Sequence, residues 1–131
     1  MPAAENEALV RQIFEAFARK QGFALRGLFA DDAVWTVPGR GTMAGVYRGR
    51  EEIFRFLAGL PKETDGTYTS ELRDVLASKD RAAAVYRASG MRRGRRLELD
   101  QVLLFRIGDG LVQEVLALPS DPEAFDAFWA A

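Results

Sequence analysis

The sequence predicts an α+β domain: a cone-shaped fold in which N-terminal helices pack on a curved, mainly antiparallel sheet. Three observations carry this. Helical patterns come early and strand patterns late, an order that segregates helices on one face of a sheet. Over Arg95–Ile107, apolar side chains recur at alternate positions (Leu97, Leu99, Leu103, Phe105, Ile107), the period of a strand with one buried face. Gly108-Asp109-Gly110 follows as a hairpin turn, because Gly and Asp tolerate the positive φ that tight turns need.

Each element has its own signal. Asn6 reads as the cap of a first helix running to about Lys20, with Leu9, Val10, Ile13, Phe14 and Phe17 on one face. Gly22 ends it, and Phe23–Ala30 reads as a second short helix. Val34–Val37 are strand formers, stopped by Pro38-Gly39. The glycine-rich run that follows predicts a loop with a short strand at Val46–Arg48. A third helix spans Glu51 to about Leu60, and Pro61–Gly66 is a polar connector. Tyr68–Leu76 is a strand of mixed faces. Three consecutive strands then form a meander, Arg81–Arg92, Arg95–Ile107 and Leu111–Leu118, with Gly94 breaking the first pair. Asp121 caps a last helical turn with Pro122 at its first position and Phe125, Phe128 and Trp129 to bury. An apolar meander needs a cover, and the helices supply it, so residues 1–131 form one domain.

Composition narrows the chemistry. The chain is 48% hydrophobic and 28% charged, ordinary for a globular protein. A net charge of −1 argues against nucleic acid or an anionic membrane surface as partner. With no cysteine and no histidine, thiol catalysis, disulfides, imidazole-based triads and Cys or His metal sites are excluded, and no metal is expected. Acid–base work would fall to Asp, Glu, Tyr, Lys or water. The N-terminus lacks an apolar run, so a cytoplasmic location is the expectation.

Several strings together resemble the nuclear transport factor 2 superfamily, in its SnoaL-like and ketosteroid-isomerase-like branch. They are LFADDAVWTVPG (Leu28–Gly39), the segment Gly45–Ile53, LLFRIGDGLVQEV (Leu103–Val115) and SDPEAFDAFW (Ser120–Trp129). The resemblance implies the cone with a hydrophobic pocket, and a homodimer through the outer face of the sheet. It says little of activity, since the fold hosts many chemistries. In the isomerase-like relatives a base Asp precedes the proline ending the first strand, a neutral acid sits on the middle strand, and a Tyr sits on the first helix. The matching positions here are Val37, Leu103 and Ile13 or Phe14, all apolar. The carboxyl pair that moves a proton next to a carbonyl is therefore missing, and steroid isomerase chemistry with those residues is excluded.

Two functional readings follow. One is a binding protein or cofactor-free cyclase or isomerase-type enzyme for a small apolar or aromatic molecule. Asp121 would be its base, by analogy with the single acid of SnoaL-like cyclases, and Tyr86 or Gln101 would polarise a carbonyl. The other is a non-catalytic dimeric module whose cone is filled by side chains. Asp121 can equally be a plain helix cap, and Gln101, the only polar member of its row, either bonds across the sheet or addresses a ligand. The expected pocket residues are Phe14, Phe17, Trp35, Val37, Tyr47, Phe56, Ala88, Leu103 and Val115. Each of the aromatics can also serve as simple core. The arginines at 92, 93, 95 and 96 read as an exposed hairpin tip.

Overall fold

The structure is a computed structural model, and it describes residues 2–131. Four helices and six strands follow in the order α1 (Pro2–Ala18), α2 (Gly22–Arg26), β1 (Phe29–Val37), β2 (Gly45–Arg48), α3 (Arg50–Glu63), β3 (Thr69–Ala77), β4 (Arg81–Arg92), β5 (Arg95–Gly108), β6 (Leu111–Pro119) and α4 (Pro122–Trp129). The strands form one curved, unclosed sheet in the order β2-β1-β6-β5-β4-β3. Only the β1–β6 pair is parallel. The predicted α+β class, with helices on a mainly antiparallel sheet, is the fold observed.

The meander is laid out as its alternation requires. On β5 the odd residues Leu97 to Ile107 are buried, while Glu98, Asp100 and Arg106 are exposed. Tyr86 on β4 lies directly opposite Gln101 on β5, and Leu103 opposite Ala117 on β6. The Arg93-Gly94 turn between β4 and β5 has φ of 51° and 76°, and Asp109-Gly110 has 53° and 74°. These are paired left-handed conformations of the hairpin kind, which match the strands' twist. On the outer face Arg87 bonds Asp100 at 3.1 Å and Arg106 bonds Glu114 at 2.9 Å.

Four local expectations are corrected. Asn6 does not cap α1, which begins at Pro2; it lies inside the helix, buried, and its amide donates to the carbonyls of Ser78 and Lys79 at 3.0 Å each. It thereby ties α1 to the β3–β4 turn. The second helix stops at Arg26, and β1 already starts at Phe29 because Phe29 pairs with Val112. Two exposed aspartates, Asp31 and Asp32, hid this by sitting at an irregularity in that pairing. Pro61 falls inside the last part of α3 rather than starting a connector. Finally, the arginine cluster is not uniformly exposed, since Arg92 is buried.

Arg92 organises one end of the molecule. Its guanidinium donates to Glu63 at 3.2 and 3.3 Å, Thr42 Oγ1 at 3.3 Å, Phe128 O at 3.4 Å and Ala130 O at 2.7 Å. It also lies 5.9 Å from the centre of the Trp129 ring. One fork thus joins the end of α3, the loop before β2 and the end of α4, a task that suits five donors in a fixed plane. The same loop meets α4 closely. Thr42 N donates to Trp129 O at 2.8 Å, and a Cβ on Gly41 would lie 2.6 Å from Trp129 Cβ, so only glycine fits there.

Candidate functional site

A hollow of about 60 Å³, partly open to the surface, lies between the inner face of the sheet and the helices. α1 contributes Ile13, Phe14 and Phe17, as its apolar stripe requires; α3 contributes Phe56, Leu57 and Leu60. The sheet contributes Trp35 and Val37 from β1, Ser70 from β3, Tyr86 from β4, and Leu97, Gln101 and Leu103 from β5. Phe125 and Trp129 of α4 border it too, together with Tyr68 just before β3. No Asp, Glu, Lys or Arg is among the lining residues.

The polar groups form a line. Gln101 Nε2 donates to the Tyr86 hydroxyl at 2.7 Å, the Tyr86 and Tyr68 hydroxyls share a hydrogen bond, and Tyr68 also bonds Ser70. Burial pushes the Tyr86 phenol well above its ordinary 10.0, and the neighbouring Tyr68 raises it further. Tyr68 is also raised by burial, although its ring is partly exposed, because its hydroxyl end sits inside. Both phenols are held neutral at physiological pH. They can donate hydrogen bonds but offer no base, since an effective proton acceptor needs a pKa near the working pH. Two polar atoms of lining residues are left over: Gln101 Oε1 and Trp35 Nε1 are buried without a protein partner.

The residues singled out in the sequence divide cleanly. Phe14, Phe17, Trp35, Val37, Phe56 and Leu103 line the hollow, and so do Tyr86 and Gln101. Asp121 does not. It is exposed, and its carboxylate accepts from Ala124 N at 3.1 Å as the N-cap of α4. Tyr47 is not among the lining residues; its ring lies tilted against Phe56 with ring centres 4.5 Å apart, and its hydroxyl donates to Met43 O at 2.6 Å. Ala88 is fully buried on β4 and is not among the lining residues. Val115 is buried within the sheet layer, in register with Trp35 and Phe105. Gln101 answers both of its alternatives at once, bonding across the sheet with one end and leaving the other free.

Sequence reasoning missed Tyr68 and Ser70. Their strand looked two-faced because its register shifts between Leu72 and Asp74, which breaks the period of two. Read only up to Leu72, the alternation Tyr68, Ser70, Leu72 would have marked one face. Trp129 and Phe125 were seen as apolar, but nothing local could place α4 at the hollow. Among the described residues, no cluster of acidic side chains could hold a metal ion, and no helix is long and apolar enough to cross a membrane.

Comparison with known proteins agrees with this architecture. Residues 10–115 match the model of the SnoaL-like domain family. The uncharacterized protein Rv0034 of Mycobacterium tuberculosis is 37% identical over 123 residues, 93% of this chain and 94% of that protein. Bal32a, from a soil-derived mobile gene cassette, is 34% identical with a TM-score of 0.95, covering 98% of this chain and 99% of that one. A protein of unknown function with a cystatin-like fold from Xanthomonas campestris is 28% identical with a TM-score of 0.88, covering 95% and 97%. With its cone of helices on sheet, its apolar hollow and these relatives, the chain belongs to the SnoaL-like domain family.

Proposed function

We propose that this protein binds a small, uncharged, largely apolar molecule in the hollow and holds it without acid–base chemistry. The observation that carries this reading is the lining itself, which is apolar apart from neutral hydroxyl, amide and indole groups. Val37 and Leu103 present hydrocarbon where isomerase-like relatives place acids. An ionised ligand would lose its hydration there with no counter-charge to replace it. The cyclase reading loses its base, because Asp121 is spent on capping α4 outside the hollow. The filled-cone reading is disfavoured by the open volume of about 60 Å³.

The test is a thermal and calorimetric screen of neutral single-ring compounds against their carboxylated analogues. A neutral ring at a hundredfold its Kd should stabilise the protein by about 2.7 kcal/mol, and the carboxylates should not. If no neutral compound stabilises a protein shown to be folded, the reading is wrong.

Assembly as a homodimer through the outer sheet face is a second part of the proposal, favoured by the register of that face. Thr36, Leu116, Leu104, Ala83 and Leu76 stand side by side across β1, β6, β5, β4 and β3, forming a continuous band. Leu76 and Leu116 are 59% and 38% exposed. A second copy would cover this band, with the Arg87–Asp100 and Arg106–Glu114 pairs at its flanks. Sedimentation of the wild type and of Leu104→Asp tests it: a dimer that the substitution dissociates supports the assignment, and a monomeric wild type refutes it.

A further inference from the structure

We infer that Trp35 Nε1–H and Gln101 Oε1 are the polar reading pair of the hollow, selecting a neutral single-ring ligand that carries both a hydrogen-bond acceptor and a hydroxyl or N–H donor. This rests on the hollow being a ligand site, as proposed above. Both side chains line it, and each residue is only 5% exposed. A buried polar atom is nearly always paired, and leaving it unpaired is costly. Here one donor and one acceptor are left over within the same lining. The third such atom, Arg50 Nε, lies away from the hollow, on a guanidinium already bonded to Asp31 and the Phe29 carbonyl.

The bond to Tyr86 marks which end of the amide is free. Gln101 Nε2 donates to the Tyr86 hydroxyl at 2.7 Å, while Gln101 Oε1 has no protein partner. Gln101 thus spends its N–H₂ end on Tyr86, and its oxygen is left over as an acceptor. Trp35 can only donate. The two leftovers are thus opposite in kind, and a ligand meets both only by offering an acceptor to one and a donor to the other. The volume of about 60 Å³ is less than half the roughly 150 Å³ of an apolar cavity that takes benzene, so the hollow, which is partly open, admits no more than one ring and encloses it only in part.

The experiment uses the whole protein and four probes: toluene, anisole, 4-methylphenol and 4-methylbenzoate. Calorimetry should give affinities rising by about two- to tenfold from toluene to anisole, which adds an acceptor, and again to 4-methylphenol, which adds a donor. 4-Methylbenzoate should not bind. Gln101→Leu should erase the step from anisole to 4-methylphenol, and Trp35→Phe the step from toluene to anisole, both variants still binding toluene. Independently of any variant, the indole N–H resonances of the two tryptophans can be followed in the wild type. The Trp35 signal should move downfield with anisole and 4-methylphenol beyond its shift with toluene. If the three neutral probes bind alike, the hollow stands as a site but the pair reads nothing, and this inference is overturned. If none binds, the proposed function falls with it.

Discussion

Replacing Arg92 by Met should destabilise the protein by about 3 kcal/mol, well beyond the effect of any neighbour in the arginine cluster. Methionine keeps much of the aliphatic stem and removes every donor. The side chain of Arg92 is 2% exposed and that of Glu63 is 35% exposed. Stripping one partner from a buried charged pair costs about 3–5 kcal/mol, and a half-exposed Glu63 can turn to water, which places the loss near the lower end. Ala130 O keeps a donor, since Arg95 reaches it at 3.0 Å, whereas Phe128 O loses its guanidinium contact. For a chain of this length each kcal/mol shifts Tm by about 3–5 °C, so the expected drop is about 10–15 °C. Urea unfolding followed by circular dichroism should show a lower midpoint with an unchanged slope. The exposed Arg93→Met and Arg96→Met are the controls and should stay within about 0.5 kcal/mol of wild type. Arg92→Lys should recover little, because an ammonium cannot span the same fork of acceptors. Should Arg92→Met unfold together with Arg93→Met, the network does not hold α4, and apolar contacts of Phe128 and Trp129 alone do so.

Three further outcomes follow from the same structure. Gly41→Ala should push α4 away from the loop and cost about 1–3 kcal/mol, because its methyl would meet Trp129 backbone and Cβ; Gly22→Ala, whose methyl meets nothing within 4 Å, should be close to neutral in the same denaturation assay. A phenol whose folded pKa is raised keeps its proton where the unfolded chain loses it, so the Tyr86 contribution is fully present below about pH 10 and is lost as pH rises through the folded value. Stability measured against pH should therefore fall above about pH 10, and less steeply in Tyr86→Phe, which should also lose about 1–3 kcal/mol at neutral pH by stranding Gln101 Nε2. Asp121→Ala should cost about 1 kcal/mol through loss of the α4 cap while leaving toluene affinity unchanged in calorimetry; a changed affinity would return Asp121 to the site.

The sequence alone determined the sheet and the side of it that is buried. Alternation on β5 and the two turns set which residues face inward, because a strand's side chains have only two directions to choose from. The same logic put Tyr86, Gln101, Val37 and Leu103 on inner rows, and the absence of histidine and cysteine bounded the chemistry before any coordinates. What needed tertiary structure was everything joined across long gaps or hidden by a shift in period. Arg92 looked like one of four surface arginines; its burial depends on α3 and α4 converging on one hairpin strand, which no local pattern encodes. Asn6 looked like a cap because a short polar side chain near a helix start has that as its commonest use, yet its partners are seventy-odd residues away. Tyr68 and Ser70 joined the polar line only once the irregularity in β3 was seen. The free ends of Trp35 and Gln101 are the last such case: a side chain's direction is a property of the sequence, but whether its hydrogen bond is met depends on what the fold brings within 3.5 Å, roughly the reach of that bond.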